Sequence, residues 1–206
     1  MTTPGPATPS ASPPSRLAPD AALLRAAFER SLDWDAYLAT DEEKAAKWRE
    51  IHERIDLDDA QRRLARGFSR EMKVLVVSGI WCGDCVQQGP LLQRIADANP
   101  ERVHLRWVDR DEHPELAGLI RINAGARVPV ALFMAEDFEP VSILGDRSLT
   151  RYRALAAKQL GPSCPLPGAP IPDDELRGTL ADWLDEFERV HLLLRLSGRL
   201  RQLHGD

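Results

Sequence analysis

Lys73-Val74-Leu75-Val76-Val77-Ser78-Gly79-Ile80-Trp81-Cys82-Gly83-Asp84-Cys85 is the stretch whose reading decides the architecture. Lys73 to Ser78 is a short β-branched run, the pattern of a strand buried on both faces. Beyond Cys85 the period becomes helical, with Leu91, Leu92, Ile95 and Ala96 inward and an end near Asn99-Pro100. Two cysteines three positions apart therefore stand at a helix start, a spacing that closes a small disulfide ring with little backbone movement. Free N–H groups and the helix dipole at Cys82 favour a negative charge, so its thiol pKa is expected to fall and its thiolate to be the nucleophile. Gly83 leaves room for an approaching substrate. Cys85 points back under the helix, where it can resolve a mixed disulfide.

Downstream, Val103 to Asp109 alternates like a strand, and a helix runs from about Pro114 to Ile122 with Leu116, Leu119 and Ile120 on it. Pro129 to Met134 reads as another buried strand. Phe138-Glu139-Pro140 turns the chain, Val141 to Leu144 is a candidate antiparallel partner, and Gly145 breaks it. Ser148 then caps a helix through Tyr152, Leu155 and Leu160. The order is β-α-β-α-β-β-α, which implies an α/β domain with a largely parallel sheet covered on both faces and an antiparallel edge from the last hairpin.

Upstream, Pro19 to about Phe68 is helical in pattern. Ala22, Leu23, Ala26 and Ala27 recur at helical spacing. Leu32, Trp34 and Tyr37 form an apolar patch around a bend. Asp41 caps a helix that carries Ala45, Trp48, Ile51 and Ile55 on one face, and Asp58 or Asp59 starts another with Leu64 and Phe68 inward. At the other end, Leu176, Leu180, Trp183, Leu184, Phe187, Val190, Leu193 and Leu194 mark a strong amphipathic helix. It is expected to dock on the sheet domain or the N-terminal helices, with a dimer interface as the alternative.

Eleven of the 16 prolines lie in two stretches, the first twenty residues and Pro162 to Pro172. They divide the chain into a disordered Pro-rich tail (1–19), an N-terminal helical extension (20–70), the α/β domain (71–161), a Pro-rich linker (162–172) and the C-terminal helix (173–206). The 206 residues carry a net charge of -5 and are 43% apolar, enough for a sizeable core. No basic stripe with interleaved aromatics suggests nucleic acid, and no apolar run suggests a membrane span. The start lacks the basic and apolar regions of a secretory signal, so the cytoplasm is the expected compartment. There, a CxxC pair is redox or metal chemistry before it is structure.

Four features in order resemble the thioredoxin family: the WCxxC motif after a strand, Pro90 within the following helix, the Val128-Pro129 step opening a strand, and Gly145 closing a strand pair ahead of the last helix. The resemblance covers about residues 71–161 and implies a thioredoxin-like fold. It makes Cys82 the attacking and Cys85 the resolving cysteine. It places Pro129 where the family has a cis-proline, with Val128 offering backbone groups to an extended substrate. Trp81 shapes the apolar rim.

Three departures stand out. Asp84 occupies the position where thioredoxins carry proline, and its carboxylate is expected to raise the Cys82 pKa. Val76 stands where the family has a buried aspartate, and residues 103–109 contain no lysine to match that acid's partner. The family's first strand and helix are absent, and the helices of 20–68 take their place.

The resemblance implies a thiol–disulfide oxidoreductase, expected to act as a reductase on a disulfide-bearing protein or a small-molecule disulfide. It needs an electron donor and implies no metal or organic cofactor. A zinc site would need about four ligands, and only Cys164 and scattered histidines remain. Cys164 is expected to be a free thiol. Asp109 to Glu112 reads as a solvated charge run, and Arg127, two residues before Pro129, is a candidate to flank the substrate groove. The alternative is an interaction module whose dithiol is idle or regulatory and whose C-terminal helix holds a partner.

Overall fold

The computed structural model describes residues 19–160 and 171–206. The expectations for the tail and for Cys164 lie outside these residues. Among the described residues four helices precede the sheet: α1 (Ala21–Glu29), α2 (Trp34–Leu38), α3 (Glu42–Arg54) and α4 (Asp59–Arg66). Each starts on an aspartate, Asp20, Asp33, Asp41 or Asp58, whose carboxylate accepts a first-turn N–H. Asp58 completes a reciprocal pair with Gln61, which decides between the two candidate caps.

The sheet is built from β1 (Met72–Ser78), β2 (Val103–Asp109), β3 (Val130–Met134) and β4 (Pro140–Gly145), in the order β2-β1-β3-β4. Between them run α5 (Gly83–Asp97) and α6 (Pro114–Leu119). After β4 come α7 (Leu149–Leu160), α8 (Asp173–Leu196) and α9 (Gly198–His204).

The sheet is mixed rather than largely parallel. Only β1 and β2 run parallel, while β3 is antiparallel to β1 and to β4. The reason is length. The α5 crossover spans fifteen residues and returns the chain along the sheet, so β2 starts beside Met72. The six-residue α6 is only about 9 Å long, against roughly 23 Å for β1. The chain stays at the end where β2 finished, and β3 enters there, with Val130 opposite Val77.

Val74, Val76 and Ser78 alternate onto one face, in register with Leu105, Trp107 and Asp109 of β2. Against this face lie α3, α5 and α8. Trp48 of α3 meets Trp107 edge-on at 5.5 Å, and Phe187 of α8 meets Phe133 of β3 at 5.0 Å. On the opposite face Lys73 lies over Phe138, which packs on Phe28 of α1.

The apolar stripe of α8 is buried within the chain from Leu176 to Leu194 and joins the same core as the strands. Leu193 lies outside that stripe and is exposed, as is Leu119 of α6. In α1 the buried positions are Leu24 and Ala27, while Ala22 and Ala26 face solvent. Alanines fit either side of a helix, so their spacing misplaced the face.

Candidate active site

Ser78 ends β1, and Gly79, Ile80 and Trp81 carry the chain to α5. Cys82 is the N-cap of that helix. Its backbone is extended (φ -83°, ψ 125°) and its side chain makes no capping bond, so the first-turn N–H groups stay available to its sulfur. The Cys85 thiol, which donates to the Cys82 sulfur, together with the N–H groups of Cys85 and Asp84, lowers the Cys82 pKa from 9.0 to about 6, against the effect of partial burial. A thiol with that pKa is mostly thiolate at neutral pH. Cys85 is fully buried, and burial, reinforced by the neighbouring Cys82, pushes its thiol well up. Both cysteines are free.

The Val128-Pro129 peptide is cis and faces the dithiol, with the Val128 carbonyl oxygen 3.7 Å from Cys82 Sγ. Gly145, the last residue of β4, abuts this loop. A Cβ there would fall 2.5 Å from the Pro129 carbonyl oxygen, so no side chain fits. Trp81 is 47% exposed at the rim. The Arg110 guanidinium lies 4.8 Å over its ring and donates to the Ala126 carbonyl at 3.1 Å, tying the rim to the segment that leads into Val128. Gly83 has open space about it.

Asp84 acts in the expected direction but does not decide the outcome. Its carboxylate does raise the Cys82 pKa, but more weakly than the hydrogen bonds to the sulfur lower it, and the net shift is downward. Both carboxylate oxygens are engaged: Arg147 reaches one, and Arg151 Nε donates to the other at 3.2 Å. Arg147 also donates to Asp146 at 3.0 Å, and Arg151 to Glu175 of α8 at 2.8 Å. The positive charges answering Asp84 thus come from the segment entering α7 and its first turn, more than sixty residues away, and no local spacing announces them. Arg127 also turns to this network and pairs with Asp146 at 3.1 Å.

Gln87 and Gln88 were not singled out by sequence reasoning either, yet both are buried in α5. Gln88 donates to the Asp146 carbonyl at 2.9 Å, while its Oε1 accepts from the Ser148 N–H at 3.0 Å and from Trp183 Nε1 at 3.2 Å. Gln87 donates to Glu175 at 2.8 Å. Two polar residues on the inward side of an otherwise apolar helix are the signal that could have found this junction.

Residues 31–157, more than half of the chain, match the family model described as Thioredoxin. A Streptomyces coelicolor protein named "Putative thioredoxin 2" is 38% identical over 81 residues, a stretch covering 38% of this chain and 58% of that protein. Among solved structures, a Pseudomonas aeruginosa protein of unknown function superposes with a TM-score of 0.61 at 19% identity, over 83% of this chain and 98% of that one. An HIV epitope-scaffold gives 0.57 at 17% identity, over 80% and 98%. At these identities the structural likenesses concern the fold. With the family match extending over the sheet and most of its helices, the chain belongs to the thioredoxin family.

Proposed function

We propose that this protein is a thiol–disulfide oxidoreductase that reduces disulfides through Cys82 and Cys85. The observation that carries the reading is the asymmetry of the pair: an accessible N-cap thiol with a pKa lowered to about 6 beside a fully buried thiol held protonated. One cysteine is poised to attack and the other to wait.

The substrate lies along the Val128 backbone, whose carbonyl already faces Cys82. An extended chain there pairs with the main chain as an added strand does. Trp81, Gly83, Asp84, Val128 and Pro129 border the path. A shallow cavity of about 370 Å³ opens beside it, lined by Arg110, Pro114, Ala117 and Arg121 among others.

The Cys82 thiolate attacks one sulfur of the substrate disulfide, and the other sulfur leaves with the electron pair and takes up a proton. Cys85 then displaces the remaining substrate sulfur from Cys82 and closes the ring. The substrate gains two electrons and two protons; the protein pair loses two electrons and the Cys85 proton, and solvent supplies the second proton. A thiol-bearing electron donor restores the dithiol. The cytoplasm, where thiols are kept reduced, suits this direction. No helix among the described residues is long and apolar enough to cross a membrane.

The test is trapping. Cys85→Ser, incubated with a peptide disulfide, is expected to accumulate a mixed disulfide at Cys82, read by mass spectrometry, while Cys82→Ser forms none and loses reduction. Wild-type reduction by Cys82→Ser would overturn the reading.

A further inference from the structure

The resolving step lacks an evident helper. Cys85 attacks as a thiolate, yet burial holds it protonated. Val76 is apolar and residues 103–109 contain no lysine, so the family's carboxylate–lysine pair is missing from these positions. We propose that Tyr37 and Ser78 form a chain of two hydroxyl donors that stabilises the Cys85 thiolate during resolution. This rests on the oxidoreductase reading above and assigns a residue outside the CxxC loop to the same site.

The placement comes from two elements. Ser78 ends β1 on the face that meets α5, opposite Asp109 in register, and is fully buried. Tyr37 is 1% exposed on α2. Its ring stacks on Trp107 at 5.4 Å and meets Trp48 edge-on at 5.6 Å, on the sheet face that also carries Ser78. Among the described residues neither hydroxyl oxygen has a hydrogen-bond partner of full geometry in the dithiol form, although Ser78 is close enough to act on both Tyr37 and Cys85. Buried hydroxyls without partners are disfavoured and uncommon. Two of them beside the buried thiol point to a state in which both are satisfied, and that state is the thiolate.

The step balances as follows. Cys85 loses its proton, its sulfur attacks Cys82 Sγ of the mixed disulfide, and the Cys82–Cys85 bond forms. The bond from Cys82 to the substrate sulfur breaks. The substrate leaves as a thiolate and takes up one proton, equal to the one Cys85 released. As charge grows on Cys85, the Ser78 hydroxyl donates to it and the Tyr37 hydroxyl donates to Ser78 Oγ. The pair keeps its own protons. The groups facing Tyr37 are Ser78, Cys85, Asp109 and Cys82. Burial first, then the charges of the last three, hold the phenol protonated, and Ser78 only partly opposes this. Tyr37 is therefore a donor throughout the working pH range.

The experiment uses the reduced full chain and an aromatic disulfide, 5,5′-dithiobis(2-nitrobenzoate), whose thiolate absorbs on release. The first release reports attack by Cys82 and the second reports resolution by Cys85. In Tyr37→Phe and Ser78→Ala the first phase should keep its rate and its pH midpoint near 6. The second should slow roughly ten- to a hundredfold, the effect of losing a hydrogen bond to a charged group. The double variant should be no slower than the slower single one, as a serial chain requires. Tyr37→Phe keeps the ring that packs on Trp107, so the comparison isolates the hydroxyl. An unchanged second phase in Tyr37→Phe, multiplying effects in the double variant, or equal slowing of both phases would overturn the chain. Absence of a second release from the wild-type protein would instead sink the oxidoreductase reading.

Discussion

At Cys82 the carboxylate of Asp84 raises the thiol pKa, yet the hydrogen bonds to the sulfur outweigh it. A carboxylate two residues from a thiol raises its pKa when nothing answers it. Here Arg147 and Arg151 answer it, and the sulfur's own hydrogen bonds decide the outcome. Arg147→Gln is expected to move the midpoint of Cys82 alkylation above about 6, by up to about one pH unit. A midpoint that stays or falls would show that the ion pair does not shield the sulfur. The lowered pKa is also a statement about stability. An unfolded cysteine titrates near 8.5, so the folded thiolate stabilises the reduced chain fully above that pH, and the contribution is lost as pH falls through about 6. The gap in denaturation midpoint between reduced wild type and Cys82→Ser should therefore narrow from pH 8.5 to pH 5. A gap independent of pH would contradict the lowered value. The cysteines, Trp81 and the Val128-Pro129 step were legible because their chemistry is tied to short spacing. Tyr37 was legible only as an apolar residue, since nothing in its neighbourhood shows that its hydroxyl ends beside Ser78.

At the scale of elements, α5 holds the site, and its position is set by a contact that only glycine permits. A Cβ on Gly89 would lie 2.2 Å from the Trp48 ring, and Trp48 is itself pinned by its indole N–H to the Ile80 carbonyl at 3.1 Å. Gly89→Ala should cost about 1–3 kcal/mol, the range for overpacking a filled core. It should also disturb the dithiol, because Ile80 lies two residues before Cys82. Gly118→Ala is the control. Open space surrounds Gly118 in α6, and alanine there should stabilise by up to about 1 kcal/mol. Equal midpoints for the two variants in chemical denaturation would refute the contact argument. Strand and helix identities were readable because burial imposes period 2 or 3.6 on the sequence. The direction of β3 was not, because alternation of elements is silent on direction and only the shortness of α6 decides it.

At the scale of the whole molecule, the C-terminal helix is part of the core. Trp183 and Phe187 are fully buried, Phe187 meets Phe133 of the sheet, and Gln88 and Glu175 tie α5 to α8. Phe187→Ala is expected to destabilise by about 3–5 kcal/mol, as aromatic truncations in cores do, and to lower the thermal midpoint of the whole chain in one transition. A separate, early transition of α8 would show that it is an appendage, the arrangement an interaction module would need. The burial of this stripe removes the main feature that had suggested such a module. The sequence showed that α8 has an apolar face, but an apolar stripe carries no label for the surface that covers it.

The central claim is that Cys82 and Cys85 form a working redox couple. The most direct measurement equilibrates the protein over a graded thiol–disulfide series, alkylates it, and reads both cysteines by mass spectrometry. The account predicts a reversible two-electron couple joining Cys82 to Cys85, at roughly -200 to -280 mV. Cysteines that stay reduced across the series, or that oxidise without pairing with each other, would contradict it.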